Sequence, residues 1–144
     1  MVSTMSIYKP MELREGAAGV CLNENNELLM VLQGKEDEKK TWSVPTGGKE
    51  DGETFASCCL REVWEETGYR AETIEELMVK QAEIEEIPIQ VEVHYYAVKI
   101  IGGAPTICDP DHLIHEIAWK SREELKALKL SYPEDREFLL RVMS

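Results

Sequence analysis

At 144 residues the chain has room for one domain, spanning 1–144, and a chain of that size buries roughly two thirds of its unfolded surface without staples. Its 28 acidic and 16 basic residues leave a net charge of −12, which repels nucleic-acid backbones and anionic membranes. Non-specific DNA or RNA binding and membrane association are therefore not expected, while a small phosphorylated ligand stays compatible if cations mediate the contact. The four cysteines, Cys21, Cys58, Cys59 and Cys108, contain no C-x-x-C pair. That argues against a zinc site or disulfide framework and fits reduced thiols in a cytoplasmic protein. The opening "MVSTMSIYKPMELREG" lacks the apolar core of a secretory signal, and no apolar run approaches the ~18 residues of a membrane span.

In chain order, "GAAGVCL" (16–22) and "LLMVL" (28–32) are apolar segments separated by the turn-rich "NENNE", which predicts a hairpin. "QGKEDEKKT" lacks periodicity and reads as a mobile loop. "WSVP" is a short strand ended by Pro45, and "TGGKEDGE" is loop by composition. Thr54 to Thr67 reads as a helix, with Ala56, Cys59, Leu60, Val63 and Thr67 on one stripe and Gly68 placed to end it. "ETIEELMVKQAEI" and "IPIQVEVHYYAVKII" read as strands joined near Glu85 to Pro88, and "HEIAWK" as another. Ser121 and Glu124 form a capping box at the start of a further helix, and Pro133 marks the first residue of the last one. The order predicts an α+β fold, a mixed β-sheet sandwiched between α-helices.

The central helix carries the chemistry. Glu62, Glu65 and Glu66 stand at i, i+3 and i+4, so they are neighbours on its surface. They fall roughly 120° to 180° from the apolar stripe, which projects them away from the core. Like charges there repel, and the helix dipole disfavours negative charge in the last turns. One reading is a solvated charged face. The other is a divalent cation among the carboxylates, where oxygen ligands suit Mg²⁺, Mn²⁺ or Ca²⁺ rather than zinc. The glycines before the helix favour the second, since they permit close backbone approach to a ligand. Arg61 has the geometry to pair with Glu53 through two parallel bonds and lock the loop to the helix.

Gly47, Glu53, Arg61, Glu62, Val63, Glu65, Glu66, Gly68 and Tyr69 together read G-x5-E-x7-R-E-U-x-E-E-x-G-U, where U is bulky and apolar. This resembles the Nudix box of the MutT-related hydrolases, and it spans 47–69. Tyr69 departs from the commoner aliphatic residue, and Thr46 from the glycine many relatives carry after the proline. The flanks "GAAGV", "LLMVLQG", "WSVPTGG" and "HEIAWKSREEL" are similar to the family's, so the resemblance covers about 14–128.

The resemblance implies a Nudix-type α+β fold and a metal-dependent pyrophosphohydrolase that cleaves the diphosphate linkage of a nucleoside diphosphate joined to another group. It implies Mg²⁺ or Mn²⁺ as cofactor. The metal ligands would be Glu62 and Glu66, with Glu65 directly or through water, and the Gly47 carbonyl. Glu53 and Arg61 would support the site. The general base is Glu65 or Glu66 within the box, or Glu116, Glu85 or Glu86 outside it, with Glu116 ranked first of the outside group. A nucleoside triphosphate, including an oxidised one, is the preferred substrate. The alternatives are ADP-ribose or another nucleotide sugar, or a non-catalytic nucleotide-binding module, against which the intact acidic set argues. An isopentenyl diphosphate isomerase would need a divergent box. The proline or tyrosine that marks ADP-ribose or dinucleoside polyphosphate hydrolases beyond the box is not met; Glu85, Glu86 and Ile87 stand there. The implied partner is a small-molecule nucleotide derivative, and the assembly a monomer or homodimer. Trp42, Tyr95, Tyr96 and Trp119 are core or base-stacking residues. His94, His112 and His115 are surface groups or proton shuttles. Lys35, Lys39, Lys40 and Lys49 are solvated or meet phosphates.

Overall fold

The computed structural model describes residues 12–84 and 87–144. Among the described residues seven strands divide between two sheets. Strands β1 (Glu12–Val20), β4 (Thr46–Gly48), β5 (Tyr69–Ile84) and β6 (Ile89–Gly103) form a mixed sheet in the order β4-β1-β6-β5. Strands β2 (Leu28–Gln33), β3 (Thr41–Ser43) and β7 (Ile114–Lys120) form an antiparallel sheet in the order β3-β2-β7. The helices are α1 (Phe55–Thr67), α2 (Arg122–Ala127) and α3 (Arg136–Val142). The α+β fold expected from the sequence is present.

The hairpin expected over 16–32 is not. Its turn exists: the Asn23 carboxamide oxygen accepts from the N–H groups of Asn25 and Glu27, and Leu22 bridges Leu28. The two strands then part into different sheets. Ala17, Ala18 and Val20 of β1, and Leu28 to Val31 of β2, are all buried, so both segments are central and need cover on two faces. Strand β1 runs parallel to β6, with Glu12 opposite Ile89 and Val20 opposite Ala97. "TGG", expected to be loop, is strand β4, pairing Gly47 with Ala17 and Thr46 with Ala18. Hydrophobic pattern misses such a strand because its side chains are nearly absent.

Strand β1 separates two cores. On one side Ala18, Val20, Met30 and Tyr95 meet Leu125 and Leu139 from the later helices. On the other, Ala17, Cys21 and Leu29 meet Cys58, Cys59 and Val63 of α1. Gly19 allows that approach, since a Cβ there would stand 2.6 Å from a Val63 methyl. All four cysteines are free thiols. The capping box at Ser121 and Glu124 forms as its spacing predicts, and Pro133 opens a 3₁₀ turn that runs into α3. Among the described residues no helix is long and apolar enough to cross a membrane.

Candidate active site

Helix α1 opens with Thr54, whose hydroxyl caps the Ser57 N–H, and closes at Gly68 in the left-handed region (φ 80°). Between these ends Arg61 acts as the tie its sequence position predicts. Its Nε and Nη2 donate to the two oxygens of Glu53 at 2.6 and 2.9 Å, and Nη2 also donates to the Gly48 carbonyl at 2.8 Å. The guanidinium draws Glu53 down to a pKa of about 2. Nη1 reaches Glu62 at 2.7 Å and Glu65 at 3.1 Å. One cation therefore binds the glycine loop to the acidic side of the helix.

That acidic side does not face solvent. Glu66 is 5% exposed, and the Glu62 and Glu65 side chains retain 12% and 19% exposure. Two segments cover them. Strand β4 lies on one flank, and the Glu62 carboxylate occupies the space a Cβ of Gly47 would need. On the other flank the loop after β6 is fastened by Cys108 N–H to the Glu65 carbonyl (2.9 Å) and Thr106 N–H to the Thr67 carbonyl (2.8 Å). The outward projection expected for the three glutamates is therefore corrected: helical angle describes the helix alone, and the helix lies in a cleft. The solvated-face reading falls with it.

Burial and the facing Glu62 carboxylate push Glu66 well above the ordinary carboxylate value, against a weak 3.4 Å bond from the Thr46 N–H. Burial raises Glu62 as well. Two carboxyl groups thus confront each other, and Arg61 reaches Glu62 of the pair. Among the described residues no three acidic, histidine or cysteine side chains converge as a finished cation cage, because Arg61 holds Glu62 and Glu65. The donor chemistry nevertheless fits a hard divalent ion. The confronting groups are carboxylates, and a divalent cation between them would relieve their repulsion. Cys58 is the nearby soft group. Its thiol points at the Gly47 carbonyl (3.6 Å) and is pushed up to about 11 by burial, so it stays a neutral thiol.

The cleft has a volume of about 430 Å³. Gly47, Glu62, Glu65 and Glu66 line one end. Arg14, Val91, Val93, Gln33 and Tyr132 also line the cleft. Asp109 and Asp111 enter from the loop after β6. The Asp109 carboxylate accepts from the N–H groups of Asp111, Leu113 and Ile114 and so shapes that loop, whereas Asp111 is exposed. Tyr132 lies over Lys80, whose Nζ is 4.7 Å from its ring centre. Arg14, Gln33, Asp109, Asp111 and Tyr132 were not singled out in the sequence. "CDPDH" carries a turn signal but no periodicity, and Arg14, Gln33 and Tyr132 come from three separate segments.

Of the residues anticipated, the structure gathers Gly47, Glu53, Arg61, Glu62, Glu65 and Glu66 into one site. Glu116 is not brought there: it is exposed on β7, opposite Leu32, and does not line the cleft. Glu85 and Glu86 lie outside the described residues. Trp42, Tyr95, Tyr96 and Trp119 do not line the cleft either. Trp42 is half-buried beneath Lys120, Tyr95 is in the core, Tyr96 packs on the α1 side, and Trp119 tilts against Tyr69. His94 stacks on Phe55 at 3.6 Å with Glu76 and Glu92 on its two nitrogens, and His115 bonds the Gly34 carbonyl. His112 is exposed, in the left-handed region (φ 55°).

A family model of the NUDIX domain matches residues 12–142, and the chain belongs to that family. Among its relatives is the mouse 8-oxo-dGDP phosphatase NUDT18, 37% identical over 76 residues, which are 50% of this chain and 24% of that protein. The putative mutator protein MutT4 of Mycobacterium tuberculosis is 33% identical over 101 residues, 66% of this chain and 38% of its own. A putative 8-oxo-dGTP diphosphatase of Bacillus subtilis is 33% identical over 89 residues, 62% and 55% respectively. The chain thus spans less than two thirds of the length of the curated relatives it matches. In fold it is similar to a NUDIX hydrolase from Nitrosomonas europaea, with TM-score 0.78, 20% identity, and 93% and 90% of the two chains covered.

Proposed function

We propose that the protein is a divalent-metal-dependent pyrophosphohydrolase. It cleaves the diphosphate linkage of a nucleoside diphosphate joined to another group, preferentially a nucleoside triphosphate, oxidised forms included. The observation that supports this most is the buried Glu62–Glu66 pair at the end of an open cleft. Two confronted carboxylates destabilise a fold that has no use for them. The name of the Bacillus relative, a putative 8-oxo-dGTP diphosphatase, supports an oxidised triphosphate; that of the mouse relative, an 8-oxo-dGDP phosphatase, supports the oxidised guanine but names a diphosphate.

Glu62 and Glu66 would hold Mg²⁺ or Mn²⁺, with Glu65 and the Gly47 carbonyl completing the oxygen set. Bound there, the ion supplies the positive charge a polyanionic diphosphate requires and the Lewis acidity that eases proton loss from an attacking water. The chain's own residues do the rest. Arg61 and Glu53 fix the glycine loop against the helix. Asp109 shapes the loop that presents Asp111. As general base, Glu65, Glu66 or Asp111 would serve: all three line the cleft and Glu116 does not, which favours Asp111 over Glu116 as the candidate outside the box. The free thiols fit a reducing cytoplasmic setting.

The test is a nucleotide panel assayed with Mg²⁺ and with Mn²⁺, both products identified. Release of a nucleoside monophosphate with its phosphorylated counterpart, abolished by EDTA, is the expected result. Binding of nucleotides without turnover under every metal condition would refute the enzyme in favour of a binding module.

A further inference from the structure

The cleft adjoins a second cavity through shared lining residues. Gln33, Leu113 and Tyr132 also line an adjoining cavity of about 320 Å³, whose other walls include Lys35, Lys39, Thr41 and Ser131. The first compartment is acidic and this one is basic. The lysines that form ion pairs among the described residues, Lys49, Lys80, Lys120 and Lys126, lie elsewhere. Lys35, Lys39 and the neighbouring Lys129 have no ion-pair partner there, in a chain with 28 acidic residues to choose from. The Lys39 ammonium lies close to Lys129 and, as a like charge, pushes its pKa below the ordinary lysine value. Such a grouping repels itself unless an anion enters.

The surroundings are built to keep it open to one. Glu38 also lines the cavity, but its Oε1 is engaged by the Lys35 N–H at 2.7 Å. Lys40 gathers the carbonyls of Lys35, Glu36 and Glu38 onto its ammonium, so the loop that reads as mobile in sequence is tied down. Thr41 and Ser131 hold their hydroxyls 2.7 Å apart, and Gln33 Nε2 donates to Ser131 at 3.1 Å. Ammonium groups beside hydroxyl donors suit phosphate oxygens.

We infer that the cleft is bipartite: with the diphosphate at the glutamates, a further anionic group of the same molecule, a phosphate ester or polyphosphate terminus, is held past Tyr132 by Lys35, Lys39, Thr41 and Ser131. This rests on the diphosphate-hydrolase reading for the first compartment, but the second compartment binds its anion without metal. The probe for it is inorganic tripolyphosphate, titrated calorimetrically in EDTA, where the acidic end repels anions. Wild type is expected to bind it, and Lys35→Ala/Lys39→Ala to bind at least about tenfold more weakly, a loss of two charge-assisted contacts. Equal affinity in the two proteins, or no binding in either, would overturn the inference. The substrate arm uses two matched pairs with Mg²⁺, NADH against NADPH and dephospho-coenzyme A against coenzyme A, each differing by one phosphate. A lower KM for the phosphorylated member of at least one pair, lost in the double variant, is expected. Turnover with no such preference in either pair would overturn the bipartite cleft and leave the hydrolase reading standing. Tripolyphosphate binding lost in the double variant, with no turnover of these four compounds or of any nucleotide in the panel, would overturn the hydrolase reading and leave the anion compartment standing.

Discussion

Two places in this molecule bury charge, and they do so by opposite rules. Around Lys80, every charge has a complement. Its ammonium meets Asp135 at 2.8 Å and Glu134 at 3.2 Å, Tyr95 donates its hydroxyl to Asp135 at 2.5 Å, and the rings of Tyr95 and Tyr132 lie over the cation. Asp135 is 4% exposed and fully engaged. On α1, by contrast, Glu62 and Glu66 face each other, and the nearby cation, Arg61, is divided among Glu53, the Gly48 carbonyl, Glu62 and Glu65. The first cluster joins β5 and β6 to the C-terminal helix and asks nothing more of the environment. The second is incomplete as protein alone. Complementary burial marks a structural joint, and confronted burial marks a site awaiting a ligand.

Substitutions should separate the two. Glu66→Gln is expected to lower kcat by about 10³-fold or more while melting temperature stays level or rises, because a frustrated carboxylate has gone. A fall in stability with intact turnover would reverse the assignment. Asp135→Ala should do the opposite. It leaves the Tyr95 hydroxyl unpaired and Lys80 with Glu134 as its remaining carboxylate, costing about 3 kcal/mol in denaturant unfolding, with the kinetic loss confined to effects through Tyr132. Next in size is Asp111→Asn, expected to reduce kcat by about 10²-fold and to cost more than Glu116→Gln. The reverse order would return the proton-accepting role to β7.

The smallest effects are in the pH dependence of stability, and the two carboxylates of the box slope in opposite directions. Glu53 titrates near 2 when folded against an ordinary value of 4.5. Its contribution is present above 4.5 and is lost as pH falls toward 2. Glu66 is raised when folded, so its contribution is full below 4.5 and is lost as pH climbs through the folded value. Thermal melts in EDTA should therefore decline on both sides, with Glu53→Gln flattening the acid limb and Glu66→Gln the alkaline one. Mg²⁺ should suppress the alkaline decline alone; equal loss of both limbs with Mg²⁺ would contradict the distinction between the two acids.

Much of the site is legible in the chain because it is local. Arg61 and Glu53 are joined across one loop and two helical turns, so their spacing already implies the ion pair that forms. The Ser121–Glu124 box is similarly short-range and forms as read. Strand β4 escaped because Gly47 and Gly48 carry no hydrophobic signal; its pairing with β1 is a main-chain property. The divergence of β1 and β2 escaped because a turn says nothing about which sheet each arm joins. Asp109 and Asp111 escaped because their relevance depends on a loop folding back onto the Glu65 carbonyl, a contact between segments far apart in the chain.

Residue order alone was enough to put three glutamates on adjacent turns of one helix and to supply the arginine that anchors them, since helical geometry repeats every few residues. Packing decided that Glu66 is buried rather than solvated, and that it confronts Glu62. Packing also brought Arg14, Gln33, Asp111 and Tyr132 round a common cleft. Desolvation and cleft shape are properties of everything that surrounds a side chain, and those neighbours arrive from strands and loops that local periodicity does not connect.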